Sequence, residues 1–308
     1  MFNRGKLVLD GPLLLDEVIP LPEGQVGLAV LGSPIQHSIS PQLHNAAIGE
    51  LASRSPSFSN WVYHKIEVDA QNLGSALPHL AKCGYRGLNL TIPHKVEIFS
   101  IIDSIDDEAR NIGAVNTLWN NASEWQGYNS DGYGLERALM GKLNISLASA
   151  NILILGAGGA ARAAAAQALS RGCKKIWIGN RSSTRLHQMI KALSHSFDVE
   201  CIFPFEITNI PGAIFEQESL VIINATSLGL NTEDLSPIIL EDFPRSTKVY
   251  DMIYNPAETP LLKQARSLGM QYENGLSMLV YQAVRSLEIW SKEIISAEAM
   301  FSAARKAL

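Results

Sequence analysis

The sequence predicts an α/β protein made of two α/β domains, and three observations carry that expectation. From Val26 to Thr91, apolar strand-like runs alternate with helical stretches, the pattern of a mostly parallel sheet covered by helices. After a hairpin-like interruption the alternation resumes at Ala150, where a continuous apolar run meets a glycine-rich turn. Finally, Asn274-Gly275 breaks the chain and two helical segments close it. A length of 308 residues suits one large or two ordinary domains, with ample material for a core.

Composition narrows the function classes. A hydrophobic content of 46%, 18% charged residues and a net charge of −5 describe a soluble globular chain. It has no basic run, so no nucleic-acid or membrane partner is expected. Cys83, Cys173 and Cys201 stand singly without CxxC spacing, so neither a disulfide framework nor a metal site is expected. A reducing, cytoplasmic setting fits. Leu7 to Leu15 is interrupted by Asp10, Gly11 and Pro12 and followed by Asp16 and Glu17, which argues against a signal peptide. The first two dozen residues read as an extension, a short strand or arm, and receive no chemistry.

Val26–Leu31 is the first strand, stopped by Gly32-Ser33-Pro34, and a helix is expected from Gln42 to about Ser53. Ser40 followed by Pro41 has the signature of an N-cap with proline in the first turn. Ser38, two residues upstream, has no such structural reason. Two hydroxyls beside a helix N-terminus make a cradle for a carboxylate. Trp61–Val68 is the next strand, Leu73–Lys82 a helix, and Gly87–Thr91 a third strand. That strand runs into Asn89-Leu90-Thr91-Ile92-Pro93-His94-Lys95, after which Val96–Ile102 reads as helix. Ser38, Ser40, Asn89, Thr91 and Lys95 thus all follow carboxyl ends of strands, where parallel sheets collect ligands.

Ile112 to Trp119, Asn120-Asn121 and Trp125–Tyr128 read as a hairpin with an Asn-rich turn. Within it, Asn116 is either a satisfied core amide or a ligand contact. The hairpin leads into Asn129-Ser130-Asp131-Gly132 and a helix over Leu135–Leu143, for which Asp131 can serve as N-cap, as a functional carboxylate, or as both.

In the second half, Ala150–Leu155 precedes Gly156-Ala157-Gly158-Gly159-Ala160-Ala161 and an alanine-rich helix to Leu169. Strand, GxGxxA and helix together form the dinucleotide-binding turn of a Rossmann-type domain. The first Gly makes the turn, the second admits a pyrophosphate, and small Ala161 lets helix meet strand. The strand Lys174–Gly179 ends in Asn180-Arg181-Ser182-Ser183-Thr184-Arg185. A carboxylate usually takes the ribose hydroxyl at this point, whereas two arginines suit a 2′-phosphate, so NADP is the expected cofactor. Ser182 can also cap the following helix. Continued alternation supplies strands at Val199–Phe203, Leu220–Asn224 and Lys248–Met252, then helices from Thr259-Pro260 to Leu268, Ser277–Trp290 and Ala297–Lys306. Gln282 is the one polar residue of the penultimate helix singled out as a ligand contact.

Six blocks in this order carry a resemblance: His37-Ser38-Ile39-Ser40-Pro41, Asn89 to Lys95, Gly113 to Thr117, Asn129 to Gly132, the glycine turn with Asn180-Arg181-Ser182, and Asn274 to Gln282. From about Val26 onward the chain resembles the shikimate dehydrogenase family, NADP oxidoreductases that interconvert 3-dehydroshikimate and shikimate in aromatic amino-acid biosynthesis. The resemblance implies a substrate domain of residues 1–128 and 275–308 around a Rossmann domain of 129–274. It implies that Ser38 and Ser40 hold the substrate carboxylate. Asn89, Thr91, Asn116, Asp131 and Gln282 would contact ring hydroxyls, with Tyr254 nearby. Lys95 is the implied catalytic residue, with Asp131 beside it. The implied cofactor contacts are Gly156, Ala157, Gly158, Gly159, Ala160, Asn180, Arg181, Ser182, Arg185, Thr226, Ser227, Met252 and Gly275. Ketone reduction builds charge on oxygen, which Lys95 can meet with a proton while the Asp131 carboxylate holds the ammonium in place. The partner is a small molecule, and a monomer or homodimer is expected. Ser130 and Ser182 stand where Thr is usual in the family, and Asn274 where Asp is usual. The competing readings are an NAD-preferring quinate/shikimate dehydrogenase and a binding-only regulatory paralogue.

Overall fold

The computed structural model describes residues 11–91, 93–121, 124–231 and 233–308. The first ten residues of the N-terminal extension, and Ile92 of the strand-to-helix motif, lie outside the described residues.

The first sheet contains β1 (Leu13–Leu14), β2 (Val26–Gly32), β3 (Trp61–Glu67), β4 (Tyr85–Leu90), β5 (Ser104–Ile105), β6 (Thr117–Asn121) and β7 (Glu124–Tyr128). Their spatial order is β1-β3-β2-β4-β6-β7-β5. Strands β1 to β4 pair in parallel, and β6 runs antiparallel to both β4 and β7. The N-terminal arm thus contributes a short edge strand, as expected of it. Helices α1 (Ser40–Arg54), α2 (Leu73–Lys82), α3 (His94–Glu97) and α4 (Asp107–Ile112) belong to this half.

Helix α5 (Asp131–Leu143) leads from β7 to the second sheet, which is formed by β8 (Asn151–Leu155), β9 (Lys175–Asn180), β10 (Ile202–Glu206), β11 (Leu220–Asn224), β12 (Lys248–Asp251) and β13 (Gln271–Glu273). All neighbours are parallel, in the order β10-β9-β8-β11-β12-β13. That order is the doubly wound dinucleotide-binding arrangement, with its crevice beside the first strand, β8. Around it lie α6 (Gly159–Ser170), α7 (Ser183–Leu193) and α8 (Pro260–Ser267).

The chain ends in α9 (Leu276–Ser291) and α10 (Ala297–Ala307), which return to the first sheet. Leu28 and Val30 of β2 and Tyr63 of β3 share one buried cluster with Leu43, Val280, Leu287, Trp290 and Met300. Alternate residues Ala29 and Leu31 point the other way, into a cluster with Leu77 and Leu80 of α2. Both faces of β2 are covered, which is why its sequence is a continuous apolar run rather than an alternating one. Trp290 fixes the return of α9 by donating its indole N–H to the Leu118 carbonyl at 2.9 Å.

Several expectations are corrected. Ile112 to Val115 is not strand: Ile112 ends α4, and Gly113 at φ +69° terminates that helix in the left-handed conformation only glycine adopts freely. The sequence signal for α4 was Asp106, whose side chain caps the Glu108 N–H at 3.0 Å. Ser40 is not the N-cap of α1, because it is already helical and makes no capping bond to the helix. Asp131 likewise begins α5 instead of capping it; its own N–H is taken by Asn129 Oδ1 at 2.9 Å. The helix expected over Val96–Ile102 is a short α-turn, His94–Glu97, followed by a 3₁₀ turn, Ile98–Ser100. The strand expected at Val199 starts at Ile202. Alternation lapses between β10 and β12, whose links carry, among the described residues, only a 3₁₀ turn at Gly212–Ile214. The short strands β5 and β13 were not anticipated.

Candidate active site

Polar side chains converge where the carboxyl end of β4 meets the starts of α3 and α5. Lys95 projects from the first turn of α3, which is pinned from below by a wholly buried imidazole. His94 Nε2–H donates to the Val68 carbonyl at 2.7 Å. The Lys95 carbonyl in turn accepts the Val115 N–H at 2.8 Å, tying the turn to the segment that carries Asn116.

The Lys95 ammonium meets Asp131 Oδ2 at 2.6 Å, with the lysine side chain 18% exposed and the carboxylate 5%. Asn116 Nδ2 donates to the other oxygen, Oδ1, at 2.8 Å, and to Ser130 Oγ at 3.0 Å. Asn116 Oδ1 accepts from the Ser130 N–H at 2.8 Å and from Thr117 Oγ1 at 2.9 Å. Asn116 thus has both ends of its amide satisfied within the protein, and it aims the carboxylate at the lysine. Such short bonds to an ionised group are the strong ones.

Behind this pair the network continues. Asn89 Oδ1 accepts the Tyr63 hydroxyl at 2.8 Å, while its Nδ2 faces Thr117 Oγ1 at 3.1 Å and Ser286 Oγ at 2.9 Å. Ser286 also lies 2.9 Å from Thr117 Oγ1 and 3.1 Å from Ser130 Oγ. Gln282 approaches Ser130 Oγ at 3.4 Å. Burial raises the Tyr63 phenol well above its usual range, an effect opposed by a hydrogen bond from Ser40. Ser38 Oγ donates to Ser40 Oγ at 3.2 Å beside the α1 N-terminus, so the two hydroxyls stand together. Thr91 is half-buried at the end of β4, its N–H on the Leu31 carbonyl at 3.0 Å. Tyr254 is half-buried against the first sheet's core, where burial raises its phenol. Tyr63, Thr117 and Ser286 were missed by sequence reasoning. Tyr63 and Ser286 sit in apolar runs with no motif around them, Thr117 lies in the Gly113 to Thr117 block but carries no signal that sets it apart from Asn116, and only the tertiary fold brings the three together with Asn89.

The glycine turn lies directly against the lysine. A Cβ built on Gly159 would come within 3.7 Å of the Lys95 stem, so the turn after β8 and the Lys95–Asp131 pair share one crevice. The turn fits a pyrophosphate. Gly156 adopts φ +112°, where a Cβ would lie 3.0 Å from the Ala225 carbonyl oxygen, and Gly158 faces open space. The α6 N-terminus carries no side-chain cap, which leaves its N–H groups to an anion. At the end of β9, Arg181 and Arg185 are exposed and engage no carboxylate among the described residues, as a 2′-phosphate site requires. Asn180 Nδ2 donates to the Ser182 carbonyl at 2.9 Å, and Ser182 caps α7 through the Arg185 N–H at 3.3 Å. Thr226, Ser227 and Met252 follow β11 and β12 on the same side of the sheet, and Gly275 packs on the Met252 carbonyl, where a Cβ would overlap it. Asn274 uses both ends of its amide, Nδ2 to the Ala257 carbonyl at 2.9 Å and Oδ1 from the Leu276 N–H at 3.1 Å. An aspartate could not make the first bond.

Among the described residues, no group of three or more His, Cys, Asp or Glu could hold a metal, and no helix is long and apolar enough to cross a membrane. All three cysteines are free; burial and neighbouring Cys201 push the Cys173 thiol up to about 12.

Comparison with known proteins finds two family models. Residues 30–118 match the shikimate dehydrogenase substrate binding domain, and residues 138–230 match shikimate / quinate 5-dehydrogenase. A shikimate dehydrogenase (NADP(+)) of Geobacillus kaustophilus is 35% identical over 85% of this chain and 91% of its own length. Its counterpart from Nitrosopumilus maritimus is 38% identical over 91% and 97%. The crystal structure of shikimate 5-dehydrogenase from Thermus thermophilus in complex with NADP(H) and shikimate matches at a TM-score of 0.80 and 30% identity, covering 92% of this chain and all of that one.

Proposed function

Because the chain belongs to the shikimate dehydrogenase family, we propose that it is an NADP-dependent oxidoreductase interconverting 3-dehydroshikimate and shikimate in aromatic amino-acid biosynthesis. The observation that carries this reading is the Lys95–Asp131 pair at 2.6 Å, set against the glycine turn within a crevice between the two sheets. We assign residues 1–128 and 275–308 to the substrate domain and 129–274 to the NADP domain.

NADPH, when bound, supplies the hydride for ketone reduction. It would be held by the backbone of Gly156 to Ala160, by Asn180, Arg181, Ser182 and Arg185 at the 2′-phosphate, and by Thr226, Ser227, Met252 and Gly275 at the nicotinamide end. Ser38 and Ser40 receive the substrate carboxylate beside the α1 N-terminus. Asn89, Thr91, Asn116, Tyr254 and Gln282 surround the ring. Lys95 stabilises the oxygen with its positive charge as an alkoxide develops and then gives it a proton, becoming a neutral amine that is reprotonated from solvent. Asp131 keeps the ammonium in place and is itself held by Asn116. Work in the cytoplasm as a monomer or homodimer is consistent with this role.

The deciding assay measures NADPH and NADH oxidation, each with 3-dehydroshikimate and with 3-dehydroquinate. Turnover confined to NADPH with 3-dehydroshikimate is expected. Preference for NADH and dehydroquinate would favour the quinate reading, and saturable binding without oxidation would identify a sensor.

A further inference from the structure

Asp251 ends β12 wholly buried, with no cation at ion-pair distance among the described residues. Three neutral donors meet its charge. Oδ1 accepts from Asn224 Nδ2 and from the Ile253 N–H, both at 3.0 Å, and Oδ2 accepts the Thr259 hydroxyl at 2.7 Å. Burial raises its pKa, and the three donors oppose that rise. These donors come from three separate segments: the end of β11, the turn after β12 and the N-cap of α8. Bonds to an ionised acceptor are the ones able to fix such segments relative to each other.

The chain of bonds continues toward the crevice. Asn224 Oδ1 accepts from the Thr226 N–H at 3.1 Å and from Thr226 Oγ1 at 2.7 Å. Thr226 Oγ1 then accepts the Leu228 N–H at 3.1 Å. Gly229, at φ +111°, closes the segment so tightly that a Cβ there would lie 3.1 Å from the Thr259 side chain. On the other flank, the Met252 N–H donates to the Asn224 carbonyl at 2.9 Å and the Gly275 N–H to the Ile253 carbonyl at 3.0 Å. One buried carboxylate therefore sets the shape of both Ala225–Gly229 and Met252–Ile253.

We propose that Asp251 is a positioning residue for the redox step, holding Thr226, Ser227 and Met252 as a rigid wall for the nicotinamide end of the cofactor. This rests on the reading that the wall receives the nicotinamide. A wall that yields would weaken cofactor binding and misplace the reacting carbon, and a misplacement of about 1 Å can cost roughly a hundredfold in rate. Substrate contacts on the first sheet would be untouched.

The test is Asp251→Asn, which keeps the volume but turns one acceptor into a donor facing other donors. Amide hydrogen exchange on the apoprotein reads the wall itself, and steady-state kinetics read its use. Expected are faster exchange confined to peptides covering 224–230 and 252–254, a KM for NADPH raised about tenfold, and kcat lowered about ten- to a hundredfold. The KM for 3-dehydroshikimate should rise much less than that for NADPH, because Tyr254 is the one ring contact carried on the loosened turn. Thr226→Val severs the last link while leaving Asp251 its three donors, and it provides a well-folding second variant with the same pattern at smaller amplitude. Unchanged exchange in the wall overturns the proposal. So does faster exchange with unaltered NADPH kinetics, or an equal rise in both KM values. A wild-type protein that fails to oxidise NADPH would instead overturn the functional reading, and the exchange result would still decide whether Asp251 shapes the wall.

Discussion

Removing Lys95 tests the centre of the reading, and the geometry sets the size of the effect. Lys95→Met keeps much of the apolar stem but deletes the charge 2.6 Å from Asp131 Oδ2. Losing a positioned acid costs about 10²–10⁴-fold in turnover, equivalent to about 3–5 kcal/mol of transition-state stabilisation. It also leaves Oδ2 without its donor on a carboxylate 5% exposed, an orphaned group costing about 1–3 kcal/mol of stability. Asp131→Asn should lower turnover too. It cannot lose a helix cap, because Asp131 provides none. The double variant removes charge and counter-charge together, so its stability should exceed that of Lys95→Met. Its turnover loss should fall far short of the product of the single losses, as expected of residues acting as a unit. NADPH oxidation with 3-dehydroshikimate and urea unfolding on all four proteins supply the numbers. Near-normal turnover in a folded Lys95→Met protein would refute the reasoning and leave water as the proton source.

Four further outcomes are expected. Arg181→Asp should raise the KM for NADPH by about 10–100-fold, the worth of one or two charge-assisted bonds, while NADH is little affected; equal weakening of both would remove the 2′-phosphate assignment. Ser38→Ala should raise the KM for 3-dehydroshikimate with little change in melting temperature, and unchanged kinetics would free that hydroxyl of its carboxylate role. Gly275→Ala forces a methyl onto the Met252 carbonyl and should destabilise by about 1–3 kcal/mol, read by urea unfolding. His44 is wholly buried and stacked on Tyr63 at 4.1 Å, and burial lowers its pKa to about 3, so the unfolded chain binds the proton first. Its contribution is complete above about pH 6.5 and is lost as pH falls toward 3, at about 1.4 kcal/mol per pH unit, a slope that His44→Phe should flatten.

What was legible in the sequence follows from which interactions are local. The periodicity of most strands and helices, the glycine turn, the Ser182 cap and the helix start at Thr259-Pro260 are set by neighbours a few residues apart, and these agree with the structure. The N-cap expected at Ser40 and at Asp131 failed for one reason. Both residues are the first helical residue, one position inside the cap, and their side chains meet other partners, the Ser38 hydroxyl for Ser40 and the Lys95 ammonium for Asp131. The same competition hid Tyr63, Thr117 and Ser286. Ser286 reaches Asn89 across 197 positions of sequence, a contact no periodicity can announce. Alternation failed between β10 and β12 because a parallel sheet needs a crossover there but not a regular helix.

The two buried aspartates show why one fold holds carboxylates of opposite character. Asp131 and Asp251 both lie near carboxyl ends of strands, and both are all but closed to water. Asp251 is surrounded by an amide, a backbone N–H and a hydroxyl, none of which can exchange charge with it near neutral pH. Such a group can only hold its surroundings still. Asp131 faces the ammonium of a lysine whose side chain is 18% exposed, which leaves that partner open to a ligand and to water, as the proposed proton transfer requires. The proposed proton transfer needs that opening, and the proposed cofactor wall needs its absence. Exchanging the two environments would defeat both tasks: an ammonium beside Asp251 would compete for the carboxylate that fixes Asn224, and neutral donors around Asp131 would leave the developing alkoxide without an acid.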